Sequence, residues 1–252
     1  DKELEEYNKT AKLSVPIHVD AASGGLYLPF VNPELVWDFR LKNVVSISTS
    51  GHKFGLVYPG LGWVMWRDKE YLPEELLFKV AYLGAFEPTF QINFSRPGSQ
   101  IWAQYYNFVR WGKEGYKAVH EKSRDVGIFL AKGLEKLGIF KILNNGENIP
   151  IVCWMLKDDP KRAWTEYDLS DRLRYYGWQL PAYPLPKNLE DVTIMRVLAR
   201  ADQSMEQISL LLRDMKESID YLDQHITVKK EVKKTEDHVA GYSHTEKRLL
   251  KK

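Results

Sequence analysis

Apolar positions in the first third of the chain fall in short runs, each ended by turn residues. Residues 16–20 (PIHVD) alternate apolar and polar and run into the small-residue stretch Ala21-Ala22-Ser23-Gly24-Gly25. Residues 43–48 (NVVSIS) form a second run, followed by Thr49-Ser50-Gly51-His52-Lys53-Phe54-Gly55, and residues 62–66 (GWVMW) form a third. β-branched and aromatic runs bounded by turn residues predict strands. The interval between the first two runs holds Pro33-Glu34-Leu35-Val36-Trp37, which suits a short crossover helix. This spacing predicts an α/β sheet, with polar residues at the carboxyl edge where such sheets bind ligands.

The period then changes. Residues 99–111 are apolar on several faces (Ile101, Trp102, Tyr105, Tyr106, Phe108, Val109), which predicts a helix buried on most sides. Gly112 and Gly115 interrupt it. Tyr116, Val119, Ser123, Val126, Leu130, Leu134 and Leu137 then recur every three or four residues, an amphipathic helix stopping at Gly138. From Ile139 the pattern is α+β. Residues 140–143 and 150–156 read as strands around Asn144-Asn145-Gly146. Thr165-Glu166-Tyr167-Asp168 opens a helix with a capping box, and Gly177 closes it. Residues 178–183 and 192–198 are strand-like, and Ser204-Met205-Glu206-Gln207 opens a last helix with Ile208, Leu212, Met215, Ile219 and Leu222 inward. The expected division is residues 1–112 as part of one α/β domain, residues 113–226 as a small α+β domain with its linking helix, and residues 227–252 as a charged tail.

Composition narrows the function classes. The 252 residues are 44% hydrophobic and 28% charged, which excludes a disordered chain. The net charge of +2 is unevenly spread: residues 227–252 carry eight Lys or Arg against four Asp or Glu. The remainder is slightly acidic, so no nucleic-acid partner is expected. Cys153 is the single cysteine. It excludes an internal disulfide and a multi-cysteine zinc site, no metal centre is expected, and its PIVCWML context reads as core. No apolar run approaches the ~18 residues of a membrane helix, so no membrane insertion is expected. The chain opens at Asp1, without Met, inside a charged helical stretch, and reads as a piece of a longer polypeptide.

Asp20 and Lys53 are the informative pair, 33 residues apart and each just after a predicted strand. A Schiff-base lysine must lose its proton, which a confined site beside cationic or electron-poor groups favours. A carboxylate against a pyridine nitrogen keeps that nitrogen protonated, and the ring then serves as the electron sink of pyridoxal phosphate chemistry. Ser50 and His52 flank Gly51 and could donate to the cofactor phosphate. Singly, each motif is more often a turn or a surface loop. Together, in order on adjacent strands, they are far more specific.

The segments HVDAASGG (18–25), WDFRL (37–41), SGHKFG (50–55), GWVMWRD (62–68) and INFSRPG (92–98) resemble the group II pyridoxal-phosphate-dependent decarboxylases, and within them the bacterial glutamate decarboxylases. The resemblance runs from about residue 16 to His244 and corresponds to roughly the second half of that family's subunit. It implies a fold type I (aspartate-aminotransferase-like) enzyme, present here as part of the large domain plus the small C-terminal α+β domain. It implies pyridoxal 5'-phosphate held by Lys53, Asp20 on the pyridinium nitrogen, Ala22 against the ring face, Ser50 and His52 on the phosphate, and Ser95 on the phosphate of the neighbouring subunit of a homodimer. Arg196, in IMRVLAR, falls where the family binds the substrate's α-carboxylate. His244, in GYSHT, matches a tail histidine that closes the site at higher pH. The implied reaction is proton-consuming decarboxylation of L-glutamate to 4-aminobutanoate, in the cytoplasm, in acid resistance.

Other residues read more plainly. His18 reads as structural, and Trp102, Tyr105 and Tyr106 as core or subunit interface. An inward Arg196 in an apolar strand is costly unless paired, which favours a functional role. Residues 246–252 continue past the family's usual end. Two alternatives stay open: another fold type I enzyme acting on a different amino acid, or a non-catalytic fragment lacking the other half of the site.

Overall fold

The computed structural model describes residues 1–82, 84–89 and 95–227. The chain divides into two compact units, Asp1–Glu121 and Lys122–Lys252. The division falls inside the helix that follows Gly112.

The first unit opens with α1 (Lys2–Ala11), which ends at Lys12 in the left-handed conformation. The Asp1 carboxylate accepts from the Asn43 amide at 3.2 Å and from its side chain at 2.8 Å. A three-stranded sheet follows, in the order β1 (Ile17–Asp20), β2 (Val44–Ser50), β3 (Gly62–Trp66). β1 and β2 run parallel, with His18 beside Ser46 and Asp20 beside Ser48; β3 returns antiparallel. β2 is central and buried along most of its length, whereas β3 lies at the edge and is largely exposed. A parallel pair needs a crossover connection. It is made by a 3₁₀ turn (Gly24–Leu26), the four-residue α2 (Leu28–Val31) and coil.

The crossover helix is therefore earlier than the expected 33–37 stretch, which is turn and coil. Proline explains the shift. Pro29 suits the first turn of α2, and Pro33 disfavours the helical region for Asn32 before it. Two arginines then replace the missing helical hydrogen bonds. Arg40 donates to the Pro33 and Leu35 carbonyls, and Arg67 to those of Phe39, Leu41 and Val44. Trp37, Phe39 and Leu41 pack on Ala21, Val44 and Ile47 in a small core. A hairpin of β4 (Phe78–Tyr82) and β5 (Ala85–Thr89) stands separately.

The helix α3 spans Ser99–Lys136 and breaks at Gly112, whose φ of 56° and ψ of −163° lie outside helical geometry. Before the break its faces are not buried as the pattern predicted. Trp102 is 73% exposed, and Ile101, Tyr105, Tyr106 and Val109 are exposed as well. These side chains are not core of this chain. After the break the helix follows its pattern, with Tyr116, Ser123, Val126, Leu130 and Leu134 buried.

In the second unit a four-stranded antiparallel sheet has the order β6 (Phe140–Asn145), β7 (Ile151–Leu156), β9 (Thr193–Leu198), β8 (Ala182–Pro184). Val126, Leu130 and Leu134 of α3 join Val152, Trp154, Met195, Leu211 and Met215 in one core. Each such side chain contributes about 1.5–3 kcal/mol by burial. The two remaining helices start where their caps predict. The Thr165 amide donates to Asp168 at 2.9 Å before α4 (Glu166–Leu173). Ser204 and Gln207 exchange hydrogen bonds before α5 (Met205–His225). Gly177 takes the left-handed conformation past the end of α4.

Candidate active site

The parallel pairing of β1 with β2 brings two consecutive turns to one end of the sheet. Asp20 is the last residue of β1 and is exposed. Its Oδ1 accepts from the Ala22 amide at 3.0 Å, which holds the carboxylate over its own turn. The Ala22 carbonyl accepts from the Ser50 amide at 3.2 Å, and the Ser50 carbonyl accepts from the Lys53 amide at 3.3 Å. An unbroken hydrogen-bonded path thus joins the Asp20 turn to the Lys53 turn. The structure brings Asp20, Ala22, Ser50 and Lys53 together along this path, at the strand ends where the sequence placed them, and His52 lies in the Lys53 turn.

Lys53 and His52 are exposed, and Ser50 is half-buried. Asp20 keeps its second oxygen, and Lys53 its amine, outside any hydrogen bond or ion pair among the described residues. The turn after β1 is built from small residues and packs tightly: a Cβ at Gly25 would lie 2.5 Å from Thr49 Oγ1. His18, on the same side of β1 as Asp20, is held by Ser46 Oγ at 2.8 Å and Ser48 Oγ at 3.2 Å. Both ring nitrogens are engaged, which fits the structural reading of that histidine.

Beneath the Lys53 turn lies a set of residues the sequence reading did not single out. Gln104 Nε2 donates to the Gly55 carbonyl at 2.7 Å and to Tyr116 Oη at 3.0 Å, and Tyr116 Oη donates to the same carbonyl at 2.9 Å. Asn107 donates to the Leu56 carbonyl at 2.8 Å. His120 is 1% exposed, ringed by Tyr27, Phe30, Phe54 and Tyr116. Its nitrogens have no hydrogen-bond partner at bonding geometry among the described residues. Burial pushes its pKa down to about 4, against a weaker upward pull from the Leu26 and Phe54 backbone. The only trace in the sequence was that Tyr116 falls on the apolar stripe of α3.

Residues 3–157 match the pyridoxal-dependent decarboxylase conserved domain. The chain belongs to the pyridoxal-dependent decarboxylase family. It is 58% identical over 245 residues to glutamate decarboxylase of Lactococcus lactis subsp. lactis (strain IL1403), covering 97% of this chain and 52% of that protein. It is 57% identical over 223 residues to glutamate decarboxylase beta of Listeria innocua serovar 6a, covering 88% of this chain and 48% of the relative. Among solved structures, glutamate decarboxylase of Lactobacillus brevis CGMCC 1306 superposes with a TM-score of 0.83 at 56% identity, over 87% of this chain and 50% of that one. A sphingosine-1-phosphate lyase of Burkholderia pseudomallei shares the fold at 21% identity, with a TM-score of 0.67, over 88% of this chain and 48% of that one. The fold is that of the fold type I pyridoxal-phosphate enzymes. The chain spans about half the length of the curated relatives it matches.

For a pyridoxal-dependent decarboxylase the donor set at the strand ends fits the cofactor. It offers an amine for the aldehyde, a carboxylate oxygen for the ring nitrogen, and hydroxyl and imidazole donors for the phosphate, beside a floor of small residues. Ser95 is exposed and has a left-handed backbone, with φ 50°. Arg196 belongs to the second unit and corrects the expectation of an inward side chain. It is exposed on β9, beside Cys153 of β7, with its guanidinium 5.8 Å from the Tyr183 ring centre. Exposure removes the burial cost that favoured a functional role for it. Cys153 is half-buried rather than enclosed in the core; burial pushes its thiol pKa up, and the Arg196 charge pulls it back. His244 and the tail from residue 228 lie outside the described residues.

Proposed function

We propose that the chain is the C-terminal half of a pyridoxal-phosphate-dependent glutamate decarboxylase, a lyase converting L-glutamate and one proton to 4-aminobutanoate and carbon dioxide. The observation that carries this reading is the hydrogen-bonded path from Asp20 through Ala22 and Ser50 to Lys53. It sets a carboxylate and an amine on neighbouring strand ends of a chain 58% identical to a glutamate decarboxylase.

When bound, pyridoxal phosphate supplies an electron-withdrawing ring that accepts the electron pair of the bond to the departing carboxylate. The chain's own residues do the rest. Lys53 would carry the cofactor through Nζ and surrender it to the substrate's amino group. The free oxygen of Asp20 would hold a proton on the ring nitrogen. Ser50 and His52 would anchor the phosphate, with Ser95 serving the partner subunit of a homodimer. Ala22 would pack on the ring face. Arg196 would orient the α-carboxylate, its exposure leaving the guanidinium free to reach an anion. His244 would close the site as pH rises. Consumption of a proton suits a cytoplasmic enzyme of acid resistance.

The half-length coverage favours one second reading, in which the chain alone is a folding or dimerisation piece with no working cofactor site. One experiment separates the two. Pyridoxal phosphate is added to the chain, borohydride fixes any imine, and peptide mass spectrometry locates the label. Label concentrated on Lys53 supports the first reading; label scattered over surface lysines supports the second. In the full-length subunit, release of carbon dioxide from a panel of amino acids then tests the assignment to glutamate. Turnover of a different amino acid in preference to glutamate would refute it.

A further inference from the structure

We propose that Gln104, Tyr116 and Asn107 are positioning residues for Lys53: they fasten the two carbonyls that follow it and so hold the amine's turn in one geometry. The inference rests on the reading of Lys53 as the cofactor lysine and extends it to the helix beneath.

Three hydrogen bonds converge on Gly55 and Leu56, two and three residues after Lys53, and a fourth joins two of their donors. Gln104 spends both amide hydrogens, one on the Gly55 carbonyl and one on Tyr116 Oη, and the tyrosine passes its own hydrogen to the same carbonyl. This network assigns the orientation of the amide, since reversing it would set oxygen against oxygen. Gln104 is 0% exposed. A buried glutamine so placed needs a purpose, because burying a polar amide costs free energy unless it is hydrogen-bonded. Its Oε1 has no hydrogen-bond partner among the described residues and faces Gly51 and Gly55, where a Cβ would lie 2.7 Å and 2.5 Å away. The turn thus closes over the glutamine at both ends, and at Gly55 the Gly51 carbonyl leaves room only for glycine.

Leu56 supplies the second observation. Its φ of 60° is left-handed, a conformation that disfavours side chains with a Cβ. Such a residue persists where the surroundings over-determine it, commonly beside a functional group. Here the surroundings are Asn107 on its carbonyl and the doubly accepted Gly55 before it. Burial lifts the Tyr116 hydroxyl to about 12, with Gln104 pulling it slightly back, so the phenol stays a donor at every working pH. The same helix therefore grips the turn through groups that do not titrate in the physiological range.

The test compares the full chain with Tyr116→Phe, Gln104→Leu and Asn107→Ala by two readouts. The first is amide hydrogen exchange over residues 51–57, measured without cofactor. The second is borohydride-fixed labelling of Lys53 by pyridoxal phosphate, taken as a ratio to Lys141 in the same sample across pH. Tyr116→Phe and Gln104→Leu should each speed exchange over 51–57 at least ten-fold while β6 and β7 peptides stay unchanged. The Lys53 ratio should fall at least three-fold, with its pH midpoint displaced. Unchanged exchange and an unchanged ratio in both variants overturn the proposal. If either variant loses protection throughout the chain, Asn107→Ala, at a half-buried position, decides by the same criteria. A wild-type chain whose Lys53 labels no better than Lys141 counts against the proposed function, and hydrogen exchange still judges the positioning role.

Discussion

The Ser50 amide donates to the Ala22 carbonyl at 3.2 Å, and this bond ties the turn that ends β1 to the turn that ends β2. Asp20 lies two residues before the acceptor and Lys53 three residues after the donor. Their relative placement is therefore set by backbone, not by the rotamers of two exposed side chains. A backbone-built scaffold is also insensitive to loss of either side chain, which shapes the first prediction.

Lys53→Ala should leave the fold intact and remove the chemistry. Lys53 is exposed and makes no ion pair among the described residues, so the change should alter stability by no more than about 0.5 kcal/mol. Borohydride-fixed labelling at this site should vanish, and turnover in the full-length subunit with it. Retained turnover would show that another amine serves.

His120 should make the first unit less stable in mild acid. Its folded pKa is about 4, against about 6.5 for a free imidazole. Below pH 6.5 the unfolded chain takes up a proton that the folded chain refuses, so stability falls from pH 6.5 to about 4 and levels off below. The loss is on the order of 2 kcal/mol by pH 4.5. His120→Leu should flatten this slope, measured by urea unfolding at a series of pH values; an identical slope in the variant would assign the acid loss elsewhere.

Asp214 also costs the second unit stability in acid, at lower pH. Burial raises its carboxyl pKa, but the Trp178 indole at 2.8 Å and the Arg213 guanidinium at 2.8 Å together hold it below the usual carboxylate range. Its stabilisation is therefore complete above about pH 4 and is lost as pH drops through the lowered value. Asp214→Asn should cost about 1–3 kcal/mol at neutral pH and lose its effect in strong acid. Thermal melts at pH 7 and pH 2.5 check both halves of the statement.

Histidine titrates near pH 6.5 when unperturbed, within the range where the proposed enzyme would switch off. Removing residues 227–252 from the full-length subunit should extend activity toward neutral pH. An activity profile that does not move removes His244 from the site.

Strands and caps were legible because each rests on local rules. β1, β2 and β3 follow short apolar runs closed by turn residues, and α4 and α5 start at their capping boxes. The Asp20 and Lys53 motifs fell at strand ends, so their meeting needed only a parallel pairing. The misplacements came from non-local causes. The helix predicted at 33–37 gave way to coil whose Pro33 and Leu35 carbonyls are taken by Arg40, a substitution no period reveals. The face of α3 around Trp102 read as buried because apolar residues usually are, and a single-chain pattern does not show what covers them. Gln104 and Asn107 were invisible for a related reason: a glutamine or asparagine on a helix is ordinary until a distant carbonyl is found against it.

Trp102, Tyr105, Tyr106 and Val109 also bear on handling the chain. That many neighbouring rings and methyls open to water favour self-association as the solution is concentrated. Labelling ratios and melts should therefore be repeated across a dilution series, because a value that drifts with dilution reports clumping of molecules through this helix and not the property of one.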